Sequence, residues 1–184
     1  MPRLFVAIDL PDDHKVRLAG LRDEAVPGRW TRSEQYHLTL RFIGEVDEEH
    51  AAEIEHALTD VHAGAFSLRG RGLGVFPSMR KPRVVFAALD PAPALMDLQD
   101  KIEQTCRTLG LDAEKKPFRP HVTLARLRRA NPRTVRAFLR THESFTLAPF
   151  PVAHYVLYES ILRPEGALHR KRAVLTLSET PPGL

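Results

Sequence analysis

Two histidines of this chain sit in the same tetrapeptide, His-x-Thr-Leu: once from His37 to Leu40 (HLTL), once from His121 to Leu124 (HVTL), and nowhere else. In a β-strand, residues i and i+2 project from the same face, about 6.5–7 Å apart. Each motif strand therefore presents one imidazole and one hydroxyl together, His37 with Thr39 and His121 with Thr123. If two such strands faced each other, two imidazoles and two hydroxyls would surround one small volume. A neutral imidazole accepts a proton from an attacking water, and a charged one gives a proton to a departing oxygen. Threonine hydroxyls donate to non-bridging phosphate oxygens. The set suits in-line displacement at phosphorus, with base and acid on opposite sides and no metal required. The residues alone do not say which histidine is acid and which is base.

Strict alternation sends Leu38, Leu40 and Phe42 to the buried face of the first strand, and Val122 and Leu124 to that of the second. On the same parity Arg41 shares a face with His37 and is the expected second cation of the cleft. Arg126 falls on the face opposite His121, unless the strand bends by Ala125.

The elements that must carry these side chains recur in order. A strand at 3–10 is followed by a helix over 12–25, then the motif strand at 36–43. A helix opens at Asp47–Glu49 and stops at Gly64, followed by a short strand at 66–70 (FSLRG) and a loop with a basic tip at 74–82. A second strand at 83–90 precedes a helix with Leu95, Leu98, Ile102 and Leu109 inward. The second motif strand spans 121–127, and a helix is capped by Asn131 and started by Pro132. Strands at 145–149 (FTLAP), 154–160 and 172–179 complete the series. Equivalent landmarks lie 79 to 84 residues apart: Ala7-Ile8-Asp9 with Ala88-Leu89-Asp90, His37 with His121, and Phe66-Ser67-Leu68 with Phe145-Thr146-Leu147. Shared order and near-constant spacing indicate an internal duplication, roughly 3–82 and 83–179, within one bilobal domain over 1–184. The expected fold is α+β: two pseudo-symmetric lobes, each a mainly antiparallel sheet with outer helices, around a central cleft.

Composition bounds the rest. Hydrophobic residues make up 43% of the 184, enough for a packed interior. No stretch approaches the roughly 20 apolar residues of a membrane span. The N-terminal MPRLFVAIDLP is too briefly apolar for a signal peptide. A soluble, cytoplasmic monomer is the expectation, with lone Cys106 a small core residue. The net charge is +4, unevenly spread. Lys115–His142 holds nine Lys/Arg and Arg69–Arg83 five, neither with an acid, whereas Glu45–Asp60 holds seven acids and no Lys or Arg. Two acid-free basic stretches favour an anionic partner, nucleic acid first. Arg133, Arg136 and Arg140 share one helix face that could follow an RNA backbone. Phe118 could stack on a terminal base or simply pack between strands. His50, His56 and His62 do not align on one helix face, and no His-Glu-x-x-His or phosphate-cradling Gly-rich loop occurs. Neither metal nor cofactor is expected.

Paired His-x-Thr-x motifs are the signature of the two-histidine phosphoesterases. With RLFVAIDLP, Trp30 ahead of YHLTLRFIGE, GVFPSMRKPRVVF, KPFRPHVTLARLR and LYESILRPEGALH, the chain resembles the bacterial and archaeal RNA 2′,3′-cyclic phosphodiesterases, first described as 2′–5′ RNA ligases. The resemblance spans residue 3 to about 177. It implies hydrolysis of RNA terminal 2′,3′-cyclic phosphate to a 2′-phosphate, with possible reverse 2′–5′ ligation. It implies His37 as donor to the leaving 3′ oxygen, His121 as the group that activates water, and Arg126 as the cation of the site. The chain departs from the pattern at Gln35, where the family often has Asn, and at His169, near a usual tyrosine. A different class remains open: a module of the same fold that binds RNA or a nucleotide without turning it over.

Overall fold

A computed structural model describes residues 1–179. Among these residues, nine strands and four α-helices follow in the order β1 (Arg3–Asp9), α1 (Asp12–Ala19), β2 (Gly28–Trp30), β3 (His37–Glu45), α2 (Glu48–Thr59), β4 (Phe66–Ser78), β5 (Lys81–Leu89), α3 (Pro93–Thr108), β6 (His121–Leu127), α4 (Pro132–Thr141), β7 (Thr146–Val152), β8 (His154–Ile161) and β9 (Leu168–Thr176). They form two antiparallel sheets, ordered β3-β1-β8-β9 and β2-β6-β5-β4-β7. The α+β class expected from the repeat is the one observed.

Local chemistry explains where the helices begin. Asp47 accepts a hydrogen bond from the His50 amide at 2.8 Å and caps α2, and Asn131 accepts from the Arg133 amide at 2.9 Å ahead of Pro132 in α4. Ala51, Ile54 and Leu58 in α2, and Leu95, Leu98, Ile102 and Cys106 in α3, are all buried; α2 ends at Thr59 and not at Gly64, and Leu109, expected inward, is half-buried just past the end of α3. Two further expectations are corrected. α1 ends at Ala19, not near residue 25, because Gly20 caps it and the chain turns through Asp23–Val26 into β2. Residues 74–82 are not a loop but the arms of a hairpin, with Ser78 opposite Lys81 and only Met79 and Arg80 between them.

That hairpin has a topological consequence. It zips the end of the first sequence repeat onto the start of the second, so β4 joins the sheet of β5 and β6. In return, β8 and β9 come back to pair with β1. The helices cross over too. On α1, His14 places Nε2 2.8 Å from the Ala148 carbonyl and packs edge-on to Phe150 of β7. α3 packs against β3. Each sheet is thus built from both halves of the chain, and one continuous core, from Leu4 to Leu177, runs through both.

β3 is an edge strand of the first sheet, while β6 is covered in the second only by three-residue β2. The two motif strands lie against each other where the sheets meet. A separate, smaller apolar cluster, Phe5, Ala7, Val156 and Tyr158, lies on the other face of the first sheet. This is the face that His37 and Thr39 share. No described helix is long and apolar enough to cross a membrane.

Candidate active site

Each motif strand carries an irregularity at the same place. Between β1 and β3, Val6 opposes Arg41 but Ala7 opposes Thr39, so Leu40 is an extra residue. Between β5 and β6, Val85 opposes Ala125 but Phe86 opposes Thr123, so Leu124 is extra. A β-bulge of this kind inverts the alternation beyond it. Up to the bulge the sequence reading holds: Leu38 and Leu40, like Val122 and Leu124, are buried beneath partly open His37, Thr39, His121 and Thr123. Past it, Arg41 and Ala125 turn inward, and Phe42 and Arg126 emerge on the motif face.

The two candidate arginines therefore exchange roles. Arg41 is not a cleft cation. Its side chain is 7% exposed, with Nε 2.6 Å from a Glu103 carboxylate oxygen, Nη1 3.4 Å from Glu114 and 2.8 Å from the Phe42 carbonyl, and Nη2 donating to the Asp112 carbonyl. It ties β3 to α3 and the segment that follows. Arg126 is exposed, and its charge disfavours protonation of His121. The face opposite His121, which strict alternation assigned to Arg126, is occupied by Ala125.

The two imidazoles are held alike. His37 Nδ1 is 2.7 Å from the Gln35 carbonyl, and His121 Nδ1 is 2.6 Å from the Arg119 carbonyl, each two residues upstream. A carbonyl only accepts, so Nδ1 carries the hydrogen in both. Nε2 of each ring is left with a lone pair when neutral and a proton to give when charged. Among the described residues, the Thr39 and Thr123 hydroxyls have no protein hydrogen-bond partner.

The surroundings are also paired. His37 packs on Phe5 at 5.0 Å between ring centres, and His121 on Phe86 at 5.4 Å and Phe76 at 4.9 Å. Phe5 and Phe86 are 81 residues apart, the offset of the surrounding Ala-x-Asp pair. A Cβ on Gly74 would come within 2.5 Å of the Phe86 ring, so the bare backbone there leaves room for that ring. Sequence reasoning overlooked these phenylalanines, although the repeat offset could have flagged them. It favoured Phe118, which is half-buried and packs against the main core.

A third imidazole enters on the first side only. His169 of β9 meets His37 edge-on at 5.3 Å and Phe5 at 4.9 Å. The hairpin that brings it is fastened nearby, since the Gln35 side chain donates to the Ala167 carbonyl. Gln35 and His169 thus sit together around His37.

Burial is the main influence on every one of these rings. It pushes His37 down to about 4; the Gln35 carbonyl and Asp9 oppose that shift, and His169 and Lys15 add to it. His121 is lowered by burial and by Arg126, against the Arg119 carbonyl, and His169 by burial. Without an anion, all three favour the neutral form. No three histidine, cysteine or carboxylate side chains converge as a metal-binding group among the described residues.

The chain matches the family described as "LigT like Phosphoesterase" over residues 8–86 and again over 89–169, one match for each motif, and it belongs to that family. Among curated relatives it is 38% identical over 161 residues to an RNA 2′,3′-cyclic phosphodiesterase of Aeropyrum pernix, covering 84% of this chain and 91% of the relative. It is 33% identical over 171 residues to the protein of that name from Archaeoglobus fulgidus, covering 91% and 96%. A crystal structure from Thermus thermophilus superposes with a TM-score of 0.79 at 28% identity, over 97% of this chain and 100% of that one. E. coli LigT complexed with 3′-AMP shares the fold, with a TM-score of 0.78 at 23% identity, over 96% and 99%.

Proposed function

We propose that this protein is an RNA 2′,3′-cyclic phosphodiesterase that opens a terminal cyclic phosphate to a 2′-phosphate without a metal ion. The observation that carries the reading is the matched pair of imidazoles, each pinned through Nδ1 and each beside a threonine hydroxyl without a protein partner, on two adjacent strands. The names of the relatives supply the substrate class.

Water is deprotonated by His121 Nε2 as its oxygen bonds to phosphorus. The P–O3′ bond breaks, and His37 Nε2 returns a proton to the departing 3′ oxygen. Thr39, Thr123 and Arg126 stabilise the non-bridging oxygens. The motifs alone leave this assignment open, and it follows the family resemblance. Arg126 opposes a second positive charge at His121, as suits a base; at His37, Asp9 favours the charge while His169 and Lys15 oppose it. An anionic phosphate bound beside His37 offsets the burial that keeps the ring neutral, so the substrate promotes protonation of its own acid. With an incoming 5′ hydroxyl in place of water, the same displacement of the 3′ oxygen gives 2′–5′ joining.

The test is phosphorus NMR of a 2′,3′-cyclic nucleotide incubated with the protein and excess chelator. The wild type converts it to the 2′-phosphate. His37→Ala and His121→Ala each lose about 10²- to 10⁴-fold, and Thr39→Ala or Thr123→Ala lose less. Binding of the cyclic nucleotide with no turnover by the wild type would instead assign a non-catalytic nucleotide-binding module.

A further inference from the structure

Arg29 and Arg126 stand directly opposite each other across the β2–β6 pair. Opposed residues of an antiparallel pair share a face with their Cβ atoms about 5 Å apart, and like charges there repel. The shared face is the motif face, because neighbouring Trp30 and Ala125 point the other way. Trp30 packs on Phe138 of α4 at 5.8 Å, and Ala125 is fully buried.

Some exposed arginines are neutralised by carboxylates, among them Arg22 by Glu24 at 3.0 Å, Arg32 by Glu34 at 3.2 Å, Arg69 by Asp90 at 2.6 Å and Arg170 by Glu159 at 2.6 Å. Among the described residues, neither Arg29 nor Arg126 has such a partner. On the far side of Arg126 stands Val84, also without charge. β2 cannot simply ride away from the repulsion. It is pressed so closely on β6 that a Cβ on Gly28 would lie 2.5 Å from the Arg126 carbonyl oxygen.

Arg29 also reaches across to the other sheet. A Cβ on Gly166, in the β8–β9 hairpin, would lie 2.6 Å from Arg29 Nη2 and 3.6 Å from Arg32 Nη2. The guanidinium therefore bridges from His121's sheet to the hairpin that carries His169. Glu165 of that hairpin makes no ion pair with it. Two exposed arginines held at opposed positions of a strand pair, neither bonded to an acid, favour an anion.

We propose that Arg29 binds the phosphodiester that precedes the terminal cyclic phosphate, so that the protein prefers RNA ends to mononucleotides. The proposal rests on the phosphodiesterase reading. Arg126 lies on the histidine's own strand and serves the reacting phosphate. Arg29 is one strand further out, about 4.8 Å, on the same face, and is assigned the upstream phosphate of a longer chain. A mononucleotide has nothing to offer it.

The test is direct binding, which does not depend on turnover. Affinities are measured for a nucleoside 2′-monophosphate and for an RNA trinucleotide ending in a 2′-phosphate, at several salt concentrations. The wild type binds the trinucleotide about tenfold or more tightly. Arg29→Gln removes that preference, keeps the mononucleotide affinity within about twofold, and lowers the salt slope by about 0.7, the contribution of one phosphate contact on a single strand. Arg29→Lys restores most of the preference. Equal wild-type affinity for the two ligands, or a preference that survives Arg29→Gln, would overturn the proposal. A preference that is present and Arg29-dependent, without hydrolysis of any cyclic nucleotide, would uphold the site and reject the activity instead.

Discussion

His37 is an imidazole whose burial opposes the charge its proposed role requires. Phe5, Tyr158 and the His169 ring close around it, and its pKa falls from 6.5 to about 4. This shift is also a statement about stability. Below pH 6.5 the unfolded chain takes up a proton at this position that the folded protein resists until about pH 4. His37 therefore favours folding fully above 6.5, and that contribution is lost as pH falls towards 4. The difference of about 2.5 units sets an upper bound of about 3 kcal/mol. Urea unfolding of wild type and His37→Asn at pH 7 and pH 4.5 measures it. The wild type should lose stability relative to the variant at the lower pH; parallel losses would show that the ring is not held neutral. Adding inorganic phosphate should raise the His37 titration midpoint, seen by NMR, because a bound anion favours the imidazolium.

At the scale of elements, the two β-bulges decide what each motif strand presents. Both fall immediately after His-x-Thr, at Leu40 and Leu124. The same device yields opposite results, because the residues that follow differ: Arg-Phe in β3 and Ala-Arg in β6. In β6 the small residue goes inward and the cation outward beside the histidine. In β3 the cation goes inward, where the Glu103 and Glu114 carboxylates pair its charge and two carbonyls accept from its Nη atoms. A buried pair of this kind is costly to break because the surviving charge has no water. Arg41→Ala should therefore destabilise by about 3–5 kcal/mol, lowering the melting temperature and yield while the folded fraction keeps its kcat. A loss of kcat without loss of stability would return Arg41 to the site.

For the whole molecule, the exchange of strands makes the halves interdependent. β1 is an interior strand of its sheet only because β8 pairs on its other edge, and the cluster beneath His37 takes Val156 and Tyr158 from β8. Residues 1–82 alone would carry the first motif but lack β8, β9 and α3. This fragment should show no cooperative thermal transition by circular dichroism; a sharp transition would mean that the first repeat folds by itself. How much of this was visible beforehand follows from which interactions are local. Side-chain period, capping residues and the repeated tetrapeptide are written along the chain, so the α+β class, most element positions and the shared face of each His-x-Thr pair were legible in the sequence. The hairpin at Met79–Arg80, the inversion that buries Arg41 and exposes Arg126, the meeting of His169 with His37 and the opposition of Arg29 to Arg126 were not. A bulge is a mismatch between two strands, and a cross-strand neighbour is set by register. Neither exists until distant segments pair, so only the tertiary structure could decide them.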